Sequence, residues 1–189
     1  MTVNDYEFNK QIRYAEGKGV IDDVKKILNY HIPGVERIEK ATKEEDLKGT
    51  DYWVYRKNIN KPLSIDVKAR SDDPVVKFGM DDLALETWSV IEKEKIGWTL
   101  DENKQTDFIL WFFEPTKRFV LLPFVQLLTV AKEHMPVWKR EHRVYRQGSN
   151  NGDWHSECVF VPRKAVLDAI TNRFYGPPKD DNTQFSLGL

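Results

Sequence analysis

Cysteine is nearly absent from this chain: Cys158 is the single one among 189 residues. One thiol excludes a disulfide framework and any cysteine-rich zinc site, so a reducing, cytoplasmic compartment is expected. Long apolar runs are absent too. None approaches the roughly 20 residues that span a bilayer, and the opening MTVNDYEFNK lacks the apolar core of a signal peptide. No membrane partner is expected. Nor does one sign of charge dominate: 29 basic side chains stand against 30 acidic ones, a formal net charge of -1. Nucleic-acid binders are usually basic, so at first sight this argues against one. There is no internal repeat, no phosphate-cradling glycine-rich loop and no Gly-x-Ser-x-Gly turn.

What is present is a hydrophobic fraction of 40% and an aromatic fraction of 12%, too much for a disordered chain, in a length that suits one core. The neutral total also hides an asymmetry. Residues 1–107 carry 22 acidic and 18 basic side chains, residues 108–189 carry 8 and 11. In the second part Lys132, Lys139, Arg140, Arg143 and Arg146 are offset only by Glu133 and Glu141. That stretch reads either as a solvated face or as a DNA-binding patch formed by Lys139, Arg140, Arg143 and Arg146, with Trp138 and Tyr145 available for stacking.

Apolar spacing predicts helices over 4–15 and 20–30, with Gly17 and Gly19 interrupting or kinking the helix between them. Short strands are expected at 35–38, 51–55 and 63–68, the last two paired across a turn at 58–62. Residues 83–91 fit helix or strand. Two apolar runs, 106–113 and 119–122, read as core strands, 124–134 as a helix, 154–161 as a strand, and the stretch from Pro162 to about Phe174 as a helix. The expected class is α/β, a mixed sheet of five or six strands flanked by helices. His155 and Cys158 are too few for a zinc site, and Cys158 reads as a strand residue.

Gly49-Thr50-Asp51 and Asp66-Val67-Lys68 are the most informative residues. Positions two apart on a strand share a face, so Asp66 and Lys68 point together, and pairing brings Asp51 beside them. Two adjacent carboxylates repel unless a cation neutralises them, and magnesium suits such oxygens. A lysine in range would orient or help deprotonate a water.

This order of features resembles the PD-(D/E)XK nuclease superfamily: an acidic residue on an N-terminal helix (Gly19-Val-Ile-Asp-Asp23), a strand opening with Asp51, and a strand with Asp66-Val67-Lys68. The resemblance covers roughly residues 5–125 of a domain spanning 1–175. It implies a restriction-endonuclease-like core and a DNA nuclease of replication, recombination or repair that uses Mg2+ or Mn2+. Asp51, Asp66 and Val67 would form its metal site, Lys68 would support the nucleophile, and a homodimer is compatible with it. Thr50 stands where the family usually has proline. The helical acid is usually Glu; Asp23 fits the spacing, Glu16 fits the residue type, Asp22 is adjacent, and Glu86 is a further candidate. The superfamily includes members that bind DNA without cutting it, so an inactive DNA- or clamp-binding protein is the alternative.

After Tyr175 the composition becomes that of a linker, and residues 176–189 end in Gln184-Phe185-Ser186-Leu187-Gly188-Leu189. This resembles the hexapeptide by which proteins bind the bacterial sliding clamp. It implies an extended peptide anchored by Gln184, with Phe185, Leu187 and Leu189 entering an apolar groove. Such a tether would raise local DNA concentration without a strongly basic surface.

Overall fold

Two β-sheets carry the fold in the computed structural model, which describes residues 17–148 and 154–176. The first helix, α1 (Lys18–His31), places Val20, Val24 and Leu28 on one stripe, and all three are buried. Gly17 is its N-cap in an extended conformation and Gly19 sits in its first turn, so the two glycines mark a start rather than a kink. The helix expected over 4–15 lies outside the described residues.

A meander follows: β1 (Val35–Lys40), a short helix α2 (Lys43–Leu47), β2 (Tyr52–Arg56) and β3 (Ile59–Arg70). Thr42 caps α2 through a capping box with Glu45. Strand β3 begins before Pro62 instead of after it. The register between β2 and β3 shifts there, Arg56 facing Ile59 but Val54 facing Leu63, and an irregular step is where a residue without an N–H is tolerated. A short helix α3 (Pro74–Phe78), capped by Asp73, then turns the chain out of this sheet through the left-handed Gly79.

Strand β4 (Asp82–Val90) settles the ambiguous stretch in favour of strand, and a 3-10 turn and β5 (Lys95–Ile96) follow. The chain returns to the first sheet as β6 (Phe108–Phe113) and β7 (Arg118–Pro123). The order is β1-β2-β3-β6-β7, mixed, with β3 and β6 parallel and all other neighbours antiparallel. Helix α4 (Phe124–Glu141), β8 (Arg143–Gly148), β9 (His155–Pro162) and α5 (Arg163–Phe174) complete the described fold.

Two further features differ from expectation. Helix α4 runs through Pro136 to Glu141 instead of stopping at residue 134, because Leu127, Val130, Ala131, Met135 and Trp138 continue one buried stripe past the proline. The expected mixed sheet is present with five strands, and beside it stands a second, four-stranded antiparallel sheet that was not expected, β5-β4-β9-β8. The basic segment after α4, read as surface, supplies one of its strands.

The mixed sheet separates two cores. Ile65, Ala69, Leu110 and Phe112 pack under α1. The opposite face, with Ile109, Trp111 and Phe113, joins Leu83, Leu85, Val159 and Val161 of the second sheet and the buried stripes of α4 and α5. No described helix is long and apolar enough to cross a membrane.

Candidate functional site

Strand pairing assembles the site. Asp51 N donates to Ile65 O at 2.8 Å, and Tyr52 faces Ile65, so Asp51 stands across from Asp66 on the same face. Alternation along β3 sends Ile65 and Ala69 toward α1 and leaves Asp66 and Lys68 on the other side. Asp51 Oδ2 accepts the Val67 N–H at 2.6 Å, which fixes its carboxyl at the strand edge. Lys68 Nζ lies 2.8 Å from each oxygen of Asp66. Three of the sequence-predicted residues are thus together, and Val67 contributes its backbone.

A fourth group was not foreseen. Lys104 Nζ is 2.8 Å from Asp66 Oδ2, and its side chain is 7% exposed. Nothing in Asp101-Glu-Asn-Lys104 marks it as different from an ordinary solvated loop. The parallel pairing of β3 and β6 brings it in, because the residues leading into β6 lie over the start of β3. Gln105 N donates to Lys48 O, Thr50 Oγ1 donates to Gln105 O at 2.6 Å, and Asp107 Oδ2 accepts from both Ser64 N and Ser64 Oγ. Gly49 is the residue that makes room. Its φ is +99°, and a Cβ there would lie 2.7 Å from Lys104 Cγ. Gly49→Ala combines left-handed strain with displacement of Lys104 from a buried carboxylate, and is expected to cost about 1–3 kcal/mol in urea unfolding.

The electrostatics follow from this crowding. Burial, reinforced by the Asp66 charge, pushes the Asp51 carboxyl up to about 7. Burial would raise Asp66 as well, but Lys68 and Lys104 outweigh it and hold that carboxyl below its ordinary value. Burial would lower the Lys68 ammonium, yet Asp66 and Asp51 outweigh it and keep it cationic. Lys68 is therefore held as an ammonium, a charged hydrogen-bond donor to Asp66.

Beside Lys68 opens a cleft of about 1030 Å³ between the end of β3 and the outer face of the second sheet. Gly97 helps to shape it: a Cβ there would come 2.6 Å from the Glu86 carbonyl carbon, so only glycine lets this loop press on β4. The next residue, Trp98, brings its ring centroid to 5.1 Å from Lys68 Nζ. Its backbone N–H donates to Glu86 Oε2 at 3.3 Å, so Glu86 reaches the cleft wall beside Trp98 and is held there also by Ser89.

Other sequence candidates are not brought to this site. Asp23 lies on α1, across the sheet, where its carboxylate is 3.0 Å from Lys117 of the β6–β7 turn and 3.6 Å from Lys26. The helical stripe of Val20, Val24 and Leu28 dictates that side, because it must cover Ile65 and Ala69. Asp22 is exposed, and Glu16 lies outside the described residues. Gln184, Phe185, Leu187 and Leu189 also lie outside them. Among the described residues no three His, Cys, Asp or Glu side chains gather as a metal cluster.

The basic patch divides. Lys139 Nζ and Arg146 Nε reach the buried Glu157 at 2.6 and 3.0 Å, Arg143 points to the cleft, and Arg140 is exposed at the end of α4. The period-two geometry of β8 is the reason, since Arg143 and Arg146 fall on opposite faces. Trp138 is 4% exposed and belongs to the core. Thr87 Oγ1 also donates to Glu157, at 2.8 Å. Burial would raise the Glu157 carboxyl, but Lys139, Thr87 and Arg146 hold it below its ordinary 4.5. Its stabilising contribution is therefore present above that value and lost as pH falls through the depressed one. Glu157→Gln is expected to cost about 1–3 kcal/mol near neutral pH, a figure moderated by the partial exposure of both cations, and the difference should vanish in acid-side urea titrations.

Cys158 faces the cleft, and burial pushes its thiol up to about 12, which leaves it unreactive. His155 pairs with Glu92 at 2.5 Å. Comparison with protein-family models, with curated proteins and with solved structures finds no match in any of the three.

Proposed function

We propose that this chain is a metal-dependent nuclease of PD-(D/E)XK type that hydrolyses DNA phosphodiesters. The observation that carries the reading is the convergence of Asp51, Asp66 and Lys68, with Lys68 lining a cleft that a substrate can enter. The donor set suits magnesium or manganese. Magnesium is commonly held by one or two carboxylates, with water and substrate phosphate completing its shell, and Asp51 and Asp66 are two adjacent carboxylates, one of which is already raised by burial and then by the charge of the other. These two would hold the ion, which supplies Lewis acidity toward a phosphoryl oxygen.

The chain's own residues do the rest. Lys68, kept cationic by Asp66, donates hydrogen bonds toward the attacking water and the phosphate. The Val67 N–H fixes Asp51. Trp98 lines the cleft beside Lys68, its ring centroid 5.1 Å from the ammonium. The test is cleavage of linear duplex, plasmid and single-stranded DNA by the full chain with magnesium, with manganese, and with a chelator. Cleavage unaffected by the chelator, or none on any substrate, sinks the reading.

A second reading rests on Lys104. Together with Lys68 it already supplies two cations to Asp66, and a carboxylate so engaged must release a lysine before it can bind an ion. On this reading the chain is a DNA-binding member without catalysis, and titration calorimetry with manganese would register no heat of binding.

A further inference from the structure

The outer face of the second sheet has a chemistry of its own. Along β8 and β9 alternation turns Arg143, Tyr145 and Phe160 toward the cleft, while Val159 and Val161 enter the core. The Arg143 guanidinium lies 4.2 Å from the centroid of the Phe160 ring, and Tyr145, 43% exposed, meets the same ring edge-on at 6.4 Å. Trp154 adds a third aromatic surface on this side. Opposite them, β3 contributes Arg70 next to Lys68. Lining cations outnumber carboxylates five to three; with Lys68 engaged by Asp66 at 2.8 Å and Asp72 by Lys77 at 2.7 Å, four cations face two carboxylates.

We infer that this cleft is a track for single-stranded nucleic acid, binding a few unpaired nucleotides with phosphates on Arg70 and Arg143 and bases against Tyr145 and Trp154. Aromatic side chains reward bases whose π-faces are free, and in a duplex those faces are stacked on one another. The volume points the same way. At about 1030 Å³ the cleft stands at the upper end of the roughly 300–1000 Å³ of small-ligand sites, which suits a short run of nucleotides and not the girth of a double helix. The track leads to Lys68, so a strand lying in it would present its backbone to the candidate site. The inference rests on the nucleic-acid reading above but not on its metal chemistry.

Fluorescence anisotropy in chelator, with a labelled thymidylate dodecamer and a duplex of the same length, tests it. The full chain is expected to bind the single strand at least about tenfold more tightly than the duplex, with affinity falling as salt rises. Tyr145→Ala, Trp154→Ala and Arg143→Ala are each expected to weaken single-strand binding by about fivefold or more, with melting temperatures close to wild type. Equal or tighter duplex binding, no binding to either, or full affinity in all three variants would overturn the proposal. Because no metal is present, single-strand binding without cleavage in the separate nuclease assay would sink the enzyme reading alone. Duplex cleavage without single-strand binding would sink only this one.

Discussion

Asp66→Ala is expected to reduce metal-dependent cleavage by about three orders of magnitude and to weaken the fold as well. Both effects come from one geometry. Asp66 is the proposed ligand, and among the described residues it is the only carboxylate within 4 Å of both Lys104 and Lys68, whose side chains are 7% and 22% exposed. Without it two largely buried ammonium groups face each other, and the stability loss should reach about 3–5 kcal/mol. Loss of cleavage in that variant alone could therefore reflect unfolding. Lys68→Met separates the two effects. It keeps the apolar stem against Trp98, leaves Asp66 paired with Lys104, and should cost about 1 kcal/mol or less in stability while cleavage falls at least about 100-fold. Initial rates on a quenched fluorescent substrate, alongside urea unfolding of each variant, provide the measurement. Cleavage within a few-fold of wild type in Lys68→Met would remove the active-site assignment.

The part of this site that was legible in the sequence was the part written in strand periodicity. Asp66 and Lys68 share a face because they are two apart, and Asp51 joins them because a short turn at Asn58 forces β2 back along β3. Lys104 was illegible for the opposite reason. Its place depends on a parallel pairing between strands separated by the whole of α3, β4 and β5, and no local pattern announces which polar loop such a crossover will lay over a carboxylate. Asp23 illustrates a third case. The helical spacing is local, but the side of the sheet that the helix covers is set by long-range packing of Val24 and Leu28, and that puts Asp23 beside Lys117. The second sheet is not legible in the sequence because its strands come from distant segments. One of them, Arg143–Gly148, is charged and mostly exposed, so it lacks the apolar alternation that advertises a strand.

Asp51 gives the second large expectation, a stability that falls as pH rises. Its carboxyl is lifted from 3.8 to about 7 in the folded protein, chiefly by burial and then by Asp66. Between those values the folded state holds a proton that the unfolded chain has released, so stability declines with pH, by up to about 1.4 kcal/mol per unit. The two carboxylates titrate as a pair, which spreads the change. A total loss of about 2–4 kcal/mol between roughly pH 4 and pH 7 is expected, opposite in sign to the effect of Glu157. Asp51→Asn keeps an acceptor for the Val67 N–H and can donate to Asp66, but it has no proton to lose. Its stability should lack this decline across the interval and exceed that of wild type at about pH 8. Millimolar magnesium should restore wild type at that pH and leave Asp51→Asn nearly unchanged, since the ion takes over the neutralising role of the proton. Urea unfolding at a series of pH values, with and without magnesium, reads all of these. A wild-type stability that does not fall relative to Asp51→Asn from about pH 4 to pH 7 would mean that the buried Asp51 carboxyl is not held protonated beside Asp66, and the two-carboxylate site would lose its physical basis.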